Sequence, residues 1–308
     1  MEYLAQEILD FTSTNITARW ADYNPSTTYT LEEDTSNLTD DSVVLYENYY
    51  YRSLVTGNVG FNPIEYLGTK WIKWDVSNRY AMIDLSSQSK STTTGENLVV
   101  VFERNNIETL GLGNFEASQV VIEHLDSDGT TVLETQTLYY SVNEDVVDYY
   151  TYIYTEYSED VGRGIKIDIA PTGTYIRVTF VYQANSNQAS CGYLVGGQPI
   201  DMGCTLTDID FSFNSFATKE QDEFGTLTIV KRSVQDLVDF ETVIENTETQ
   251  SIKREIKKIY NDIVVFIIDP SDTSIYENLL TLGTVENAGV VISEFTKTHI
   301  TWSVMEAI

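Results

Sequence analysis

The sequence predicts a mainly β protein. It reads as a small N-terminal module, an antiparallel β-sandwich and a C-terminal α+β element. Three observations carry this. Tyr is frequent (21) and Pro scarce (5), and Thr, Val and Ile recur throughout, residues that suit a pleated, half-buried surface. Short apolar segments follow one another closely with no long helix between them. One strong helical repeat stands near the C-terminus, between segments that read as strands.

With 308 residues the chain has room for two or three domains, and its composition shifts near positions 75 and 215. The expected units are therefore 1–75, 76–215 and 216–308.

Met1 to Phe11 reads as a short helix, with Leu4, Ile8 and Phe11 on one face. Val43 to Tyr46 and Tyr49 to Leu54 are short apolar pieces, and Gly57, Asn58, Gly60 and Pro63 mark a loop before Trp71 and Trp74. Leu98 to Phe102 has the look of a buried strand. Val120 to Leu125 and Thr131 to Tyr139 flank Asp126-Ser-Asp-Gly129, a hairpin signal. Ile165, Ile167 and Ile169 alternate with more polar neighbours, as do Ile176, Val178, Phe180 and Tyr182. Leu227 to Val230 is a further strand. Thr247 to Ile259 predicts a helix: Thr247 with Gln250 fits a capping box, and Ile252, Ile256 and Ile259 share a face. Ile263 to Ile268 then reads as a buried strand. Val290 to Phe295 and His299 to Val304 form a closing pair.

Charge narrows the partners. Against 47 Asp and Glu stand 18 Lys and Arg, a formal net charge of -29. Such a polyanion repels phosphate backbones and acidic lipid surfaces, so no nucleic acid and no membrane insertion are expected. The longest purely apolar run, Ile263 to Ile268, is far short of a membrane span. The acidic start MEYLAQEILDF matches neither a signal peptide nor a transit peptide.

The search for catalytic chemistry returns little. Gly111-Leu-Gly113-Asn-Phe-Glu116 begins like a dinucleotide fingerprint, but Glu116 replaces its last Gly. The two histidines, His124 and His299, read as strand-face residues. Asp126 and Asp128 fit a hairpin turn better than a calcium loop, which needs more ligands at fixed spacing. No cofactor and no metal are expected. Cys191 and Cys204 flank a Gly-rich loop and read as a structural pair or as two buried thiols. With so many acids, some carboxylate pair stands at glycosidase spacing by chance, and no motif singles one out.

Aromatics give the one functional signal. Trp20, Tyr46, Tyr49, Tyr50, Tyr51, Trp71 and Trp74 crowd the first stretch. Flat rings stack on sugar faces while their polar tips stay hydrated. The same rings serve equally as the core of a small module poor in aliphatics. The sugar-binding candidates are Trp20, Tyr46, Tyr51, Trp71 and Trp74. Tyr46 and Tyr51 lie on strands whose alternation brings them to one side.

Val43-Val-Leu-Tyr46, Tyr49-Tyr-Tyr-Arg-Ser-Leu54, Asn58, Pro63 and Trp71 together resemble a small chitin-binding-type carbohydrate-binding module. The Gly usual before the Val pair is replaced by the acidic segment 37–42, and the closing region carries two Trp. Thr14-Asn-Ile16 ahead of the module, and Trp74-Asp-Val-Ser-Asn-Arg-Tyr-Ala-Met-Ile-Asp84 after it, resemble virion structural proteins of tailed bacteriophages. The resemblance covers about residues 13–84. It implies a component of the tail, collar or baseplate, assembled in the host cytoplasm. The implied partners are other virion proteins and further copies of the chain, as a homo-oligomer, with a host-surface glycan as the alternative partner. A carbohydrate-active enzyme is a third reading that no motif supports. Asn78, Arg79 and Asp84 are expected to be structural, tying the module to the sandwich.

Overall fold

The computed structural model describes residues 1–6, 11–16, 18–139, 162–182, 187–221, 227–268, 280–292 and 296–308. Its strands pair antiparallel, as closely spaced hairpin segments require. The first five are β1 (Glu2–Leu4), β2 (Phe11–Thr14), β3 (Val43–Tyr46), β4 (Tyr49–Ser53) and β5 (Trp71–Val76). A short 3-10 turn, Ala81–Ile83, leads to β6 (Ser91–Thr94), β7 (Leu98–Glu103), β8 (Thr109–Phe115), β9 (Gln119–Leu125) and β10 (Val132–Tyr139). There follow β11 (Gly162–Asp168), β12 (Tyr175–Val181), β13 (Gln188–Cys191), β14 (Tyr193–Gly197) and β15 (Pro199–Asp201). The rest are β16 (Cys204–Ser215), β17 (Thr218–Gln221), β18 (Leu227–Val230), β19 (Val234–Glu245), helix α1 (Thr249–Ile259), β20 (Val264–Ile267), β21 (Leu280–Ile292) and β22 (Lys297–Glu306).

Four sheets organise the described residues. β3, β4 and β5 form a small sheet of their own. A five-stranded sheet, ordered β10-β9-β12-β7-β2, and a three-stranded sheet, β11-β8-β14, contribute to one hydrophobic cluster. Leu98, Val100 and Phe102 of β7 meet Leu110, Leu112 and Phe115 of β8 there, all essentially without exposure. A seven-stranded sheet, β15-β1-β20-β21-β22-β19-β16, carries the C-terminal half. Helix α1 lays Ile252, Ile256 and Ile259 into its cluster, as their spacing predicts. Lys257 and Lys258 stand in the last turn of α1, where the dipole favours them.

The N-terminal segment departs from expectation. Residues 2–4 are strand, not helix, because β1 is seated between β15 and β20 and takes backbone bonds from both. Tyr3 and Leu4 consequently enter two different clusters, the period-two division of a strand. Ile8 lies outside the described residues, and Phe11 opens β2 on the edge of the five-stranded sheet. Sheet membership crosses positions 75 and 215. β1 and β2 belong to later sheets, and β16 pairs with β19 in the C-terminal sheet.

Smaller corrections follow. The capping box does not form: α1 begins at Thr249 behind Glu248, which gives no side-chain cap, and Thr249 Oγ1 meets Thr298 Oγ1 at 3.0 Å instead. Cys191 is buried and Cys204 exposed, and both are free thiols. Burial pushes the Cys191 thiol well above its ordinary range. Gly111 and Gly113 lie mid-strand in β8, away from any strand-to-helix turn. Tyr193 packs over Gly113 so closely that an added Cβ would stand 2.0 Å from its ring. His124 is buried with Nδ1 3.2 Å from the Thr172 carbonyl, and His299 Nδ1 lies 2.5 Å from Glu241. Among the described residues no helix is long and apolar enough to cross a membrane.

Candidate functional site

The small sheet is aromatic on both faces. Val44 pairs with Tyr51 and Tyr46 with Tyr49, so these four share one face. Tyr29, Tyr23 and Trp71 cover that face. Leu45 pairs with Tyr50 on the other face, where Trp20 and Val43 complete a second cluster. The alternation expected for Tyr46 and Tyr51 is thus observed, with their ring centroids 6.4 Å apart.

Burial then separates the five candidates. Trp71 is fully buried, and Tyr51 and Trp20 nearly so. Trp20 meets Tyr50 edge-to-face at 4.7 Å, and Trp71 meets Tyr29 at 5.1 Å. The polar tips are engaged internally. Trp71 Nε1 donates to the Phe61 carbonyl at 2.8 Å, Asn62 donates to the Tyr46 hydroxyl at 2.7 Å, and the Arg19 N–H to Tyr50 at 2.7 Å. Trp20, Tyr51 and Trp71 so placed hold the module together, while Tyr46 is half-buried at the edge of their cluster.

Trp74 is the most exposed of the five, at 39%. Tyr50 pairs with Asp75 and Tyr51 with Lys73, so Trp74 is the extra residue of a β-bulge. The bulge turns its ring outward, with the Arg52 guanidinium 4.7 Å from the centroid. Trp74 lines an open cleft of about 580 Å³ with Tyr49, Lys73, Asp75, Asp84 and Gln88. Lys73 Nζ stands 3.2 Å from the centre of the Tyr49 ring. Burial raises the Asp84 carboxyl above its ordinary pKa, against hydrogen bonds from Ser89 and Ser86 that lower it, and Asp75 adds to the rise. Lys73 and Gln88 were not singled out from sequence; the bulge that gathers them beside Tyr49 has no local signature. Among the described residues no three of His, Cys, Asp and Glu are grouped to hold a metal ion.

The signature residues make splices. Asn15 Nδ2 donates to the Asn97 carbonyl at 2.6 Å while its Oδ1 accepts the Val99 N–H at 2.9 Å. Asn78 does the same to Thr92. Arg79 Nη2 donates to the Phe11 carbonyl at 3.2 Å. Asp84 accepts from Ser89 Oγ and the Ser86 N–H, closing its own turn.

No protein-family model matches the chain, and no curated protein matches it. Among solved structures, the chain is similar to chitosan-binding module 1 of a chitosanase/glucanase from Paenibacillus sp. IK-5, at 14% identity and a TM-score of 0.26. That likeness covers 39% of this chain and 83% of the module.

Proposed function

We propose that this chain is a structural component of a tailed-phage virion, in the tail, collar or baseplate, assembling with itself and with other virion proteins. One observation carries the reading: the residues of the virion-protein signature, Asn15, Asn78 and Arg79, spend their side chains on the backbone of distant strands. A signature kept for ligand contact would point outward; this one sets the frame. The burial of Trp20, Tyr51 and Trp71 fits the same reading, since the module's aromatics serve its interior. In this reading the small β3-β4-β5 sheet is the carbohydrate-binding-module-like domain. The five- and three-stranded sheets around their common cluster form the sandwich. Mass spectrometry of gradient-purified virions tests it. Peptides of this chain at structural copy number are expected, and their absence from purified particles would overturn it.

A second reading, host-surface glycan adsorption, is favoured by the exposed Trp74 and its cleft alone. An exposed ring flanked by Asp, Gln and Lys suits a sugar face and its hydroxyls. A glycan array with the wild-type chain and Trp74→Ala checks it: binding lost in the variant supports adsorption, and an empty wild-type array opposes it.

A further inference from the structure

One arm of the molecule carries a run of exposed apolar side chains. β16 pairs with β19, the Phe216 N–H donates to the Ser233 carbonyl at 3.2 Å, and β17 pairs with β18 beyond. The result is one long two-stranded ribbon whose outer strand β16 ends the seven-stranded sheet. Seven large apolar side chains on it are exposed: Leu206 38%, Phe211 41%, Phe213 70%, Phe216 45%, Ile229 47%, Val230 52% and Val234 50%. The register puts Phe211, Phe213 and Val234 on one face with Asp236. Scattered exposed apolar residues are ordinary, but a run of them on one element marks an interface.

Charge says which partner. The chain carries -29, so two copies repel over most of their surface. Residues 216–234 depart from this: Lys219, Lys231 and Arg232 balance Glu220, Asp222 and Glu223, a net of zero, and only helix α1 among the nearby elements is more basic. At the root of the ribbon lies a cavity of about 440 Å³, walled by Phe211, Phe213 and Tyr193 and holding the half-buried carboxylates Asp236 and Glu306. Among the described residues no Lys or Arg lines it. Lys231 and Arg232 stand exposed a few residues away on the same ribbon. A contact of one copy's basic pair with the other's cavity is therefore made twice under a two-fold axis. The strand edge has the same polarity. β16 is twelve residues long, whereas the opposite edge, β15, has three and begins with Pro199, which lacks the donor for a further ladder.

We infer that this ribbon is a self-association surface: a second copy of the chain docks along β16, covering Phe211, Phe213 and Val234, with its Lys231 and Arg232 reaching Asp236 and Glu306. This rests on the virion-component reading and names the surface by which copies meet. The test is sedimentation equilibrium of the purified full chain, up to about 100 μM, with Phe213→Asp and the charge reversal Lys231→Glu/Arg232→Glu. Wild type is expected to form dimers or larger even-numbered species, and each variant to weaken association at least about tenfold, equivalent to 1.4 kcal/mol. At concentrations where wild type is monomeric, circular dichroism and Tm should not change, because these side chains are exposed. Adding Asp236→Lys/Glu306→Lys to the charge-reversal variant should restore association. A monomeric wild type, or variants that associate like wild type, would overturn the inference. Absence from virions alongside ribbon-dependent dimers would sink the virion reading and leave this one standing.

Discussion

Asn78 and Thr92 are joined by two hydrogen bonds: Asn78 Nδ2 donates to the Thr92 carbonyl and the Thr92 N–H donates to Asn78 Oδ1, both at 2.8 Å. The amide thus supplies β6 with the pair of bonds a neighbouring strand would give. Among the described residues β6 has a ladder only with β13, so the amide stands in for a second partner. Asn78→Ala strands both Thr92 groups and should cost about 2 kcal/mol, read from the urea midpoint. Asn78→Asp keeps the acceptor but sets a carboxylate oxygen against the Thr92 carbonyl, and should be no better. A midpoint unchanged in both variants would remove the splice from the account.

Trp71 and Trp74, three residues apart on β5, should respond oppositely to truncation. Trp71 is fully buried with its indole N–H bonded to Phe61, so Trp71→Ala should destabilise by about 3–5 kcal/mol. Trp74→Ala removes an exposed ring and its contact with Arg52, and should cost less than about 1 kcal/mol. Paired thermal melts check this. Equal losses would mean that the bulge does not separate their roles.

The pairing of Val43–Tyr46 with Tyr49–Ser53 and the isoleucine face of α1 were legible because each is a local pattern with one solution. Strand β1 was not. The Leu4, Ile8, Phe11 spacing suits a helix, and only β15 and β20, some 200 residues along the chain, make Glu2–Leu4 a strand. The candidate site was half legible. Sequence put Tyr46 and Tyr51 on one side but could not tell inward from outward, because a small sheet with aromatics on both faces has no polar face to orient it. Trp74 turns out through a bulge fixed by pairing with β4. The exposed ribbon had a signal that went unused: Phe211, Phe213 and the strand pattern around them alternate beyond the end of the core.

Gly113 is required by Tyr193. The Tyr193 ring fills the space over β8 where a Cβ would stand. Gly113→Ala should cost about 1–3 kcal/mol or more, as overpacking does. The same substitution in a Tyr193→Leu background should cost less, since the colliding ring atoms are gone. A double-mutant cycle with no coupling between the two positions would show that the strand relaxes around the methyl group.

Two carboxylates should tilt the pH dependence of stability in opposite directions. Asp128 accepts from the Thr130 and Thr131 N–H groups and the Thr131 hydroxyl, which depress its pKa below the ordinary 3.8. Its contribution is present above the unfolded pKa and is lost as pH falls through the lower folded value. Asp84 is raised, chiefly by burial, so its contribution is present below 3.8 and is lost as pH rises through the folded value. Asn substitution removes each titration while preserving the shape of the side chain. Asp128→Asn should therefore be less stable than wild type at pH 7, with the gap closing below pH 4. Asp84→Asn should gain on wild type between pH 4 and pH 7, because Asn avoids the buried charge and its oxygen still accepts from Ser86 and Ser89. Urea midpoints of the three proteins across that range read the two slopes directly. If both differences ran the same way, the burial of Asp84 would not be what governs its titration.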